Sequence, residues 1–370
     1  MRAPLVANAS DLVASHFEAV PDRPAVFLLW ASEGQPYLAR TALLRRRLRR
    51  LLSERDRASR VLNLRGVAER VEYWLTGSQL ESTLLHLELA QQHFPGDWPR
   101  MVRLRPPAFV RLTLDNPFPR TLVTTRVTTR PGHGLSYGPF ASRAAAEHFQ
   151  TELLDLFQVR RCEENLNPSP QHPGCIYGEM NRCLRPCQQV VTIEQYRTEA
   201  QRVEQFLRTQ GNSLKDPASA ARDRASTDMQ FEDAERLHQR VARIAEVQAA
   251  GGELPRAIDQ LAGVAVLPSC VPESVDLYFL IGGCWQEVRR LSLSEIAGAG
   301  LSMDHRLRDL IAALKPRGAP NLEHLAILMR WHGSSWRDGE WIDLEWPSKI
   351  PYRKLVNAIA RVGRPAAKLN

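Results

Sequence analysis

The sequence predicts an α+β protein, and three observations predict it. Short apolar runs bounded by turn-forming residues stand at 22–30, 70–75 and 257–290, as strands require. Between and after them lie stretches with apolar residues on one helical face and capping residues at their starts. No internal repeat or low-complexity tract interrupts the mixture. A chain of 370 residues has room for two or three small domains rather than one.

The elements follow in order. Residues 1–14 read as a short lead-in. Residues 22–30 form a buried strand after Pro24, and Gly34 centres a turn into a second short strand over 36–39. A helix spans 41–54, with Thr41 as its N-cap and Leu44, Leu48, Leu51 and Leu52 as its apolar stripe. A third strand covers 70–75. Ser78 then opens a helix with Leu80, Leu84 and Leu87 on one face and Glu81 at the capping-box position. Gly138 and Pro139 place a turn before a helix over 142–157. A further helix runs over 192–210, with Tyr196, Val203, Phe206 and Leu207 inward. A helical hairpin fills 216–250, started by Asp216-Pro217 and closed by Gly251 and Gly252. Strands return over 257–290 around a turn at Gly282 and Gly283. Helices and a hairpin at 332–346 complete the chain.

Net charge is +8, and arginine dominates the basic residues. Guanidinium suits phosphate through its bidentate fork, so the charge favours a nucleic-acid partner. Nine arginines lie between positions 40 and 60. Among them Arg40, Arg45, Arg46, Arg49 and Arg50 are the candidate phosphate contacts, because self-repulsion at that density asks for a counter-charge. No apolar run is long enough to span a membrane, and no secretory h-region follows Arg2. A cytoplasmic protein with free thiols is expected.

Four of the six cysteines, Cys162, Cys175, Cys183 and Cys187, follow the spacing C-x12-C-x7-C-x3-C. Thiols at this density call for a soft metal or disulfides, and the expected reducing compartment disfavours disulfides. Structural zinc usually brings two close cysteine pairs, whereas only the last pair here is close. An iron–sulfur cluster tolerates uneven spacing. A [4Fe–4S] cluster and zinc both stay open on the spacing alone.

These cysteines resemble the stretch L-R-x-C, R-P-C-x-x-Y, G-R-C-x-A-P-C of the UvrC family of excision-repair nucleases. The matching residues are Val159-Arg160-Arg161-Cys162, Pro173-Gly174-Cys175-Ile176-Tyr177 and Asn181-Arg182-Cys183-Leu184-Arg185-Pro186-Cys187. The resemblance implies a [4Fe–4S] cluster on the four cysteines. The first hundred residues resemble a GIY-YIG nuclease domain: Ala25-Val26-Phe27 stands for G-[VI]-Y and Tyr37-Leu38-Ala39-Arg40 for Y-[VI]-G-K. Glu81–Ala90 stands for the later E-A-L-x-L-E-x-x-L-I. Arg111-Leu112-Thr113, Phe118-Pro119-Arg120 and Tyr137-Gly138-Pro139-Phe140 resemble K-L-T, F-P-R and F-G-P-Y. Met229–Leu237 resembles the UVR motif, which implies a UvrB-like partner bound through Phe231, Glu232, Ala234 and Leu237.

The resemblance divides the chain into a degenerate GIY-YIG-like small mixed sheet with helices (1–98) and a cysteine-bearing segment (99–190). A helix with the UVR helical hairpin (191–252) and a small α+β C-terminal domain (253–370) follow. Catalysis in the GIY-YIG family is understood to use two tyrosines, an arginine, a glutamate and a divalent metal. Tyr37 and Arg47 remain here as catalytic remnants, while Phe27 replaces the first tyrosine and His86 the metal-binding glutamate. Glu88 does not rescue the site, since two residues turn it about 200° around a helix. A neutral imidazole also suits softer metals than Mg²⁺. The expectation is a UvrC-like DNA-binding protein of excision repair with little or no nuclease activity. The alternatives are a divergent active endonuclease and a non-DNA protein that binds a UvrB-like partner.

Overall fold

The computed structural model describes residues 3–54, 62–127, 133–298, 302–335 and 337–364. The expected Arg55, Arg57 and Arg60 of the basic run lie outside them. Among the described residues the strands form three antiparallel sheets with helices packed around and between them, an α+β architecture.

The first sheet is built from β1 (Leu5–Asn8), which runs into α1 (Ala9–Ala14), then β2 (Ala25–Ala31), β3 (Tyr37–Thr41), α2 (Leu44–Leu52), β4 (Ala68–Leu75), α3 (Gln79–His93) and α4 (Trp98–Val102). Its order is β1-β4-β2-β3. The expected lead-in is therefore structured: Leu5 to Asn8 pair with Tyr73 to Arg70, and Ala9 and Leu12 bury beside Leu44 and Leu48. Thr41 does not cap α2. It ends β3, and its Oγ accepts a hydrogen bond from the Leu43 amide at 3.1 Å, a local turn that delays the helix to Leu44. Ser78 does cap α3: its Oγ accepts from the Glu81 amide, while Glu81 reaches back to the Gly77 amide at 2.7 Å.

Strand alternation gives this sheet two apolar faces. Ala25, Phe27 and Leu29 pack with Leu44, Leu48, Leu51 and Leu52 of α2. Val26, Leu28 and Leu38 pack the other way, with Leu80 and Leu87 of α3.

The second sheet, β6-β5-β7-β8, begins with β5 (Ala108–Leu112), β6 (Thr121–Thr124) and β7 (Leu135–Phe140). Helices α5 (Arg143–Leu154), α6 (Ile176–Glu179), α7 (Ile193–Arg208), α8 (Asn212–Thr227) and α9 (Phe231–Gly251) follow, and β8 (Arg256–Ala257) closes it. Tyr137-Gly138-Pro139-Phe140 is strand rather than turn, buried throughout, with Tyr137 stacked on Phe149 of α5 at 5.1 Å. Ser142 caps α5 directly after it. Helix α8 starts at Asn212, not at Asp216, and carries Pro217 inside. Gly211, at φ +90, turns the chain sharply out of α7, and the Thr209 hydroxyl accepts from the Ser213 amide, so the first turn forms ahead of the proline.

The third sheet holds β9 (Ala262–Pro268), β10 (Ser274–Ile281), β11 (Cys284–Trp285) and β12 (Arg289–Ser292). Then come α10 (Leu293–Gly298), α11 (Met303–Ala312), α12 (Leu322–His332), β13 (Glu340–Asp343) and α13 (Tyr352–Val362). Gly282 and Gly283 take φ +58 and +77 in the tight β10–β11 turn. Among the described residues the expected hairpin at 332–346 does not form. Its start is the end of α12, and β13 pairs with β9 instead, Glu340↔Val266 to Asp343↔Gly263. The Trp341 ring lies over Gly263, where a Cβ would come within 2.0 Å of it. Leu325 and Leu328 of α12 share one core with Leu80 and Leu87 of α3 and with Tyr278 and Leu280 of β10.

Candidate functional site

The four expected ligand cysteines sit in the stretch between α5 and α7, whose regular structure is only α6 and a 3-10 turn at Pro186–Gln188. Cys175 stands at the N-cap of α6 and is exposed; Cys187 lies in the 3-10 turn. Cys183 and Cys187 are buried, and Cys162 is half-buried. All four are free thiols. Burial pushes the Cys183 thiol up to about 11, and the nearby Cys162, Cys175 and Cys187 add to that push. The four thiols therefore share one neighbourhood. No group of three or more His, Cys, Asp or Glu side chains among the described residues closes into a metal-ion cage.

Arg160 supports this stretch from inside, at 1% exposure. Its Nε donates to the Phe118 carbonyl at 2.9 Å and its Nη1 to the Glu164 carbonyl at 2.7 Å. Nη1 also lies 3.7 Å from Cys162 Sγ. The Tyr196 hydroxyl accepts from the Arg160 amide and donates to the Pro119 carbonyl, both at 2.8 Å. The F-P-R segment, the first cysteine and α7 are thus tied through one buried arginine. Its sequence signal was a basic residue following the apolar Val159, two positions ahead of a cysteine, to which the motif alone attaches no role.

On the first sheet, Phe27, Tyr37 and Arg47 come together. Arg47 donates from Nη2 to the Tyr37 hydroxyl at 3.0 Å, and the Phe27 and Tyr37 rings stand 6.3 Å apart. Phe27 is fully buried and has no hydroxyl, while Tyr73, opposite it across β2 and β4, stands on the same face. His86 does not join them. It projects from α3, which covers the Val26–Leu28–Leu38 face of the sheet, whereas Phe27 and Tyr37 pack on the α2 face. Burial, with the Arg40 charge after it, lowers the His86 pKa to about 4 and keeps the ring neutral at pH 7. Arg40 lies on the same side, donating to the Thr83 hydroxyl at 2.8 Å.

The arginines of the basic helix α2 find hydrogen-bond acceptors, and in Arg46 a counter-charge, within the chain. Arg45 donates to the Val20 carbonyl at 2.6 Å and Arg49 to the His16 carbonyl at 3.2 Å. Arg46 pairs with Asp22 at 3.1 Å. These three arginines pin the loop over 16–22 to α2. Arg50 is exposed.

At the tip of the α8–α9 hairpin, Met229 takes φ +56, and Met229 and Phe231 are 74% and 70% exposed. Glu232 is exposed too, while Ala234 and Leu237 turn partly inward. A cleft of about 640 Å³ that the sequence did not announce opens between α3 and the third sheet, lined among others by Trp74, Glu88, Tyr278, Trp285, Glu287 and His324.

Residues 108–206 match the family model of the UvrC/Cho excinuclease, middle domain. Proteins named UvrABC system protein C are similar over a longer stretch. That of Rickettsia africae is 28% identical over 246 residues, 66% of this chain and 38% of that protein. That of Rickettsia felis shows the same identity over the same lengths. That of Lachnospira eligens is 26% identical over 236 residues, 62% of this chain and 37% of that protein. The chain thus spans under two-fifths of the length of these relatives. No solved structure matches.

Proposed function

The chain is a relative of the UvrC family, and from that premise we propose a DNA-binding protein of nucleotide excision repair or a related repair pathway, with little or no strand cleavage of its own. The observation that carries the reading is the middle-domain match over 108–206, which contains all four clustered cysteines, on a chain of net charge +8. UvrB-like protein is the proposed partner of the hairpin tip, through Phe231, Glu232, Ala234 and Leu237. The solvent-facing Phe231 supports this, because an aromatic ring at a helix start gains most by covering itself.

The four cysteines are the proposed ligands of a [4Fe–4S] cluster, with zinc as the alternative. A single zinc needs four sulfurs about 3.8 Å apart, given Zn–S bonds of about 2.3 Å in a tetrahedron. A four-iron cluster spreads its thiolates more widely and accepts uneven spacing, and the C-x12-C-x7-C-x3-C spacing with its resemblance to the family's motif supports that reading. When bound, such a cluster cross-links the loop and adds a redox-active centre. The buried guanidinium beside Cys162 fits a net anion there.

DNA binding is tested by fluorescence anisotropy of a labelled duplex at several salt concentrations. Affinity is expected to fall linearly on a log–log plot, with a slope of about −0.9 for each phosphate neutralised. Arg40→Glu and Arg50→Glu should each weaken binding to all sequences alike. Arg46→Glu should in addition loosen the 16–22 loop, because it breaks the pair with Asp22. Binding that ignores salt, or fails at low salt, favours the non-DNA interaction protein.

Cleavage is tested on supercoiled plasmid with Mg²⁺. The wild-type protein is expected to leave it intact. Phe27→Tyr with His86→Glu is also expected to stay inactive, since the new carboxylate would lie across the sheet from Tyr37 and Arg47. Wild-type nicking that disappears in Tyr37→Phe would overturn this and make a divergent endonuclease the better reading.

A further inference from the structure

We infer that Arg160 is the charge-compensating donor of the cysteine centre: it neutralises the thiolate cluster from inside the fold and raises its reduction potential. The inference rests on the cluster reading above.

A guanidinium removed from water ordinarily pairs with a carboxylate, because an isolated buried charge is very costly. Arg160 is among the largest fully buried side chains of the protein. Its neighbour Arg161 has the ordinary arrangement, an ion pair with Asp155 at 2.8 Å. Among the described residues Arg160 has no such pair. Its donors meet the carbonyls of Phe118 and Glu164, which satisfy hydrogen bonds and leave the charge uncancelled. The remaining contact is the sulfur of Cys162 at 3.7 Å.

A neutral thiol gives that charge nothing. A metal-bound thiolate gives it a counter-ion, and four thiolates on a four-iron cluster leave the whole a net anion. The placement is held from three sides, by the F-P-R segment, by the loop at Glu164 and by the Tyr196 hydroxyl on the Arg160 amide, so the guanidinium does not have to be recruited when a cluster arrives. A hydrogen-bond donor and positive charge on a ligand sulfur favour the more reduced, more negative state, which raises the potential.

The test uses the full chain, purified anaerobically, as wild type, Arg160→Met, Arg160→Gln, Arg160→Lys and Arg161→Met. The measurements are midpoint potential by spectroelectrochemistry and iron retention against a chelator. Arg160→Met should lower the midpoint and weaken retention by about 10–100-fold. Arg160→Lys, which keeps the charge without the fork, should fall between. Arg161→Met should match wild type, since its charge is already met by Asp155. A folded Arg160→Met with wild-type potential and retention overturns the inference. If Arg160→Met does not fold, Arg160→Gln, which keeps hydrogen-bond donors without the charge, decides, and wild-type values there overturn it equally. Wild-type protein without iron overturns the cluster reading itself, a result separate from either of these.

Discussion

Cys183→Ser and Cys187→Ser should each yield colourless, iron-free protein after anaerobic purification, where the wild type carries about four irons per chain. Serine keeps the size of cysteine but replaces a soft thiolate with a hard hydroxyl, a poor ligand for iron in this oxidation range. The structural consequence follows from where the cysteines lie. Between Leu154 and Ile193 the chain has only the four residues of α6 and the three of a 3-10 turn as regular structure. A loop that long rarely holds a shape without a cross-link. Cys183 and Cys187 anchor it at 7% exposure each, and Cys162 stands against the buried Arg160. Losing the cluster should therefore raise hydrogen exchange across 162–192 and at the start of α7, with the first sheet unaffected. Removing iron from the wild type with a chelator should give the same exchange pattern, since binding free energy at such a site is folding free energy. One zinc and no iron in the wild type, or full iron in either variant, sinks the cluster reading.

Local signals were the legible ones. Gly282-Gly283 announces a turn, and Ser78 with Glu81 announces a helix start, because each acts through its own backbone. What depended on distant partners was not legible. Leu5 and Val6 are exposed on β1 and show no alternation, since that strand is held by backbone pairing with β4 rather than by a buried face. Trp341 and Ile342 read as half of a hairpin, yet the edge open to them was β9, some seventy-five residues earlier. At the candidate sites the cysteine spacing was visible, while the role of Arg160 was not, because an arginine beside another arginine looks solvated until its burial is known. Motif alignment set His86 beside Tyr37 and Arg47, but an alignment carries no information about which face of a sheet a helix covers. That Arg45 and Arg49 also tie α2 to the 16–22 loop was not legible for a related reason: carbonyl acceptors leave no mark in a charge count.

Arg290→Met should cost about 3–5 kcal/mol, the usual loss when one partner of a buried ion pair is removed. Asp276 on β10 and Arg290 on β12 face each other directly in the sheet register. Arg290 donates to the carboxylate twice, Nε to Oδ1 at 2.7 Å and Nη2 to Oδ2 at 2.9 Å, a fork-to-fork contact. The Asp276 side chain is 1% exposed and that of Arg290 28%. Burial alone would lower the Arg290 pKa, but the hydrogen bond and charge of Asp276 more than reverse it, and the net shift is upward. Truncating the arginine removes both of these donors from a carboxylate that is 1% exposed, so much of the cost is desolvation of Asp276 that this contact no longer offsets. The double variant Asp276→Leu with Arg290→Met removes the buried carboxylate as well and should recover much of the loss, because apolar replacement of a whole buried pair is often neutral. Hydrogen exchange at β9, β10 and β12 reads both effects where they occur. Protection in Arg290→Met equal to wild type, or a double variant less protected than the single, would show that the pair contributes little to holding this sheet.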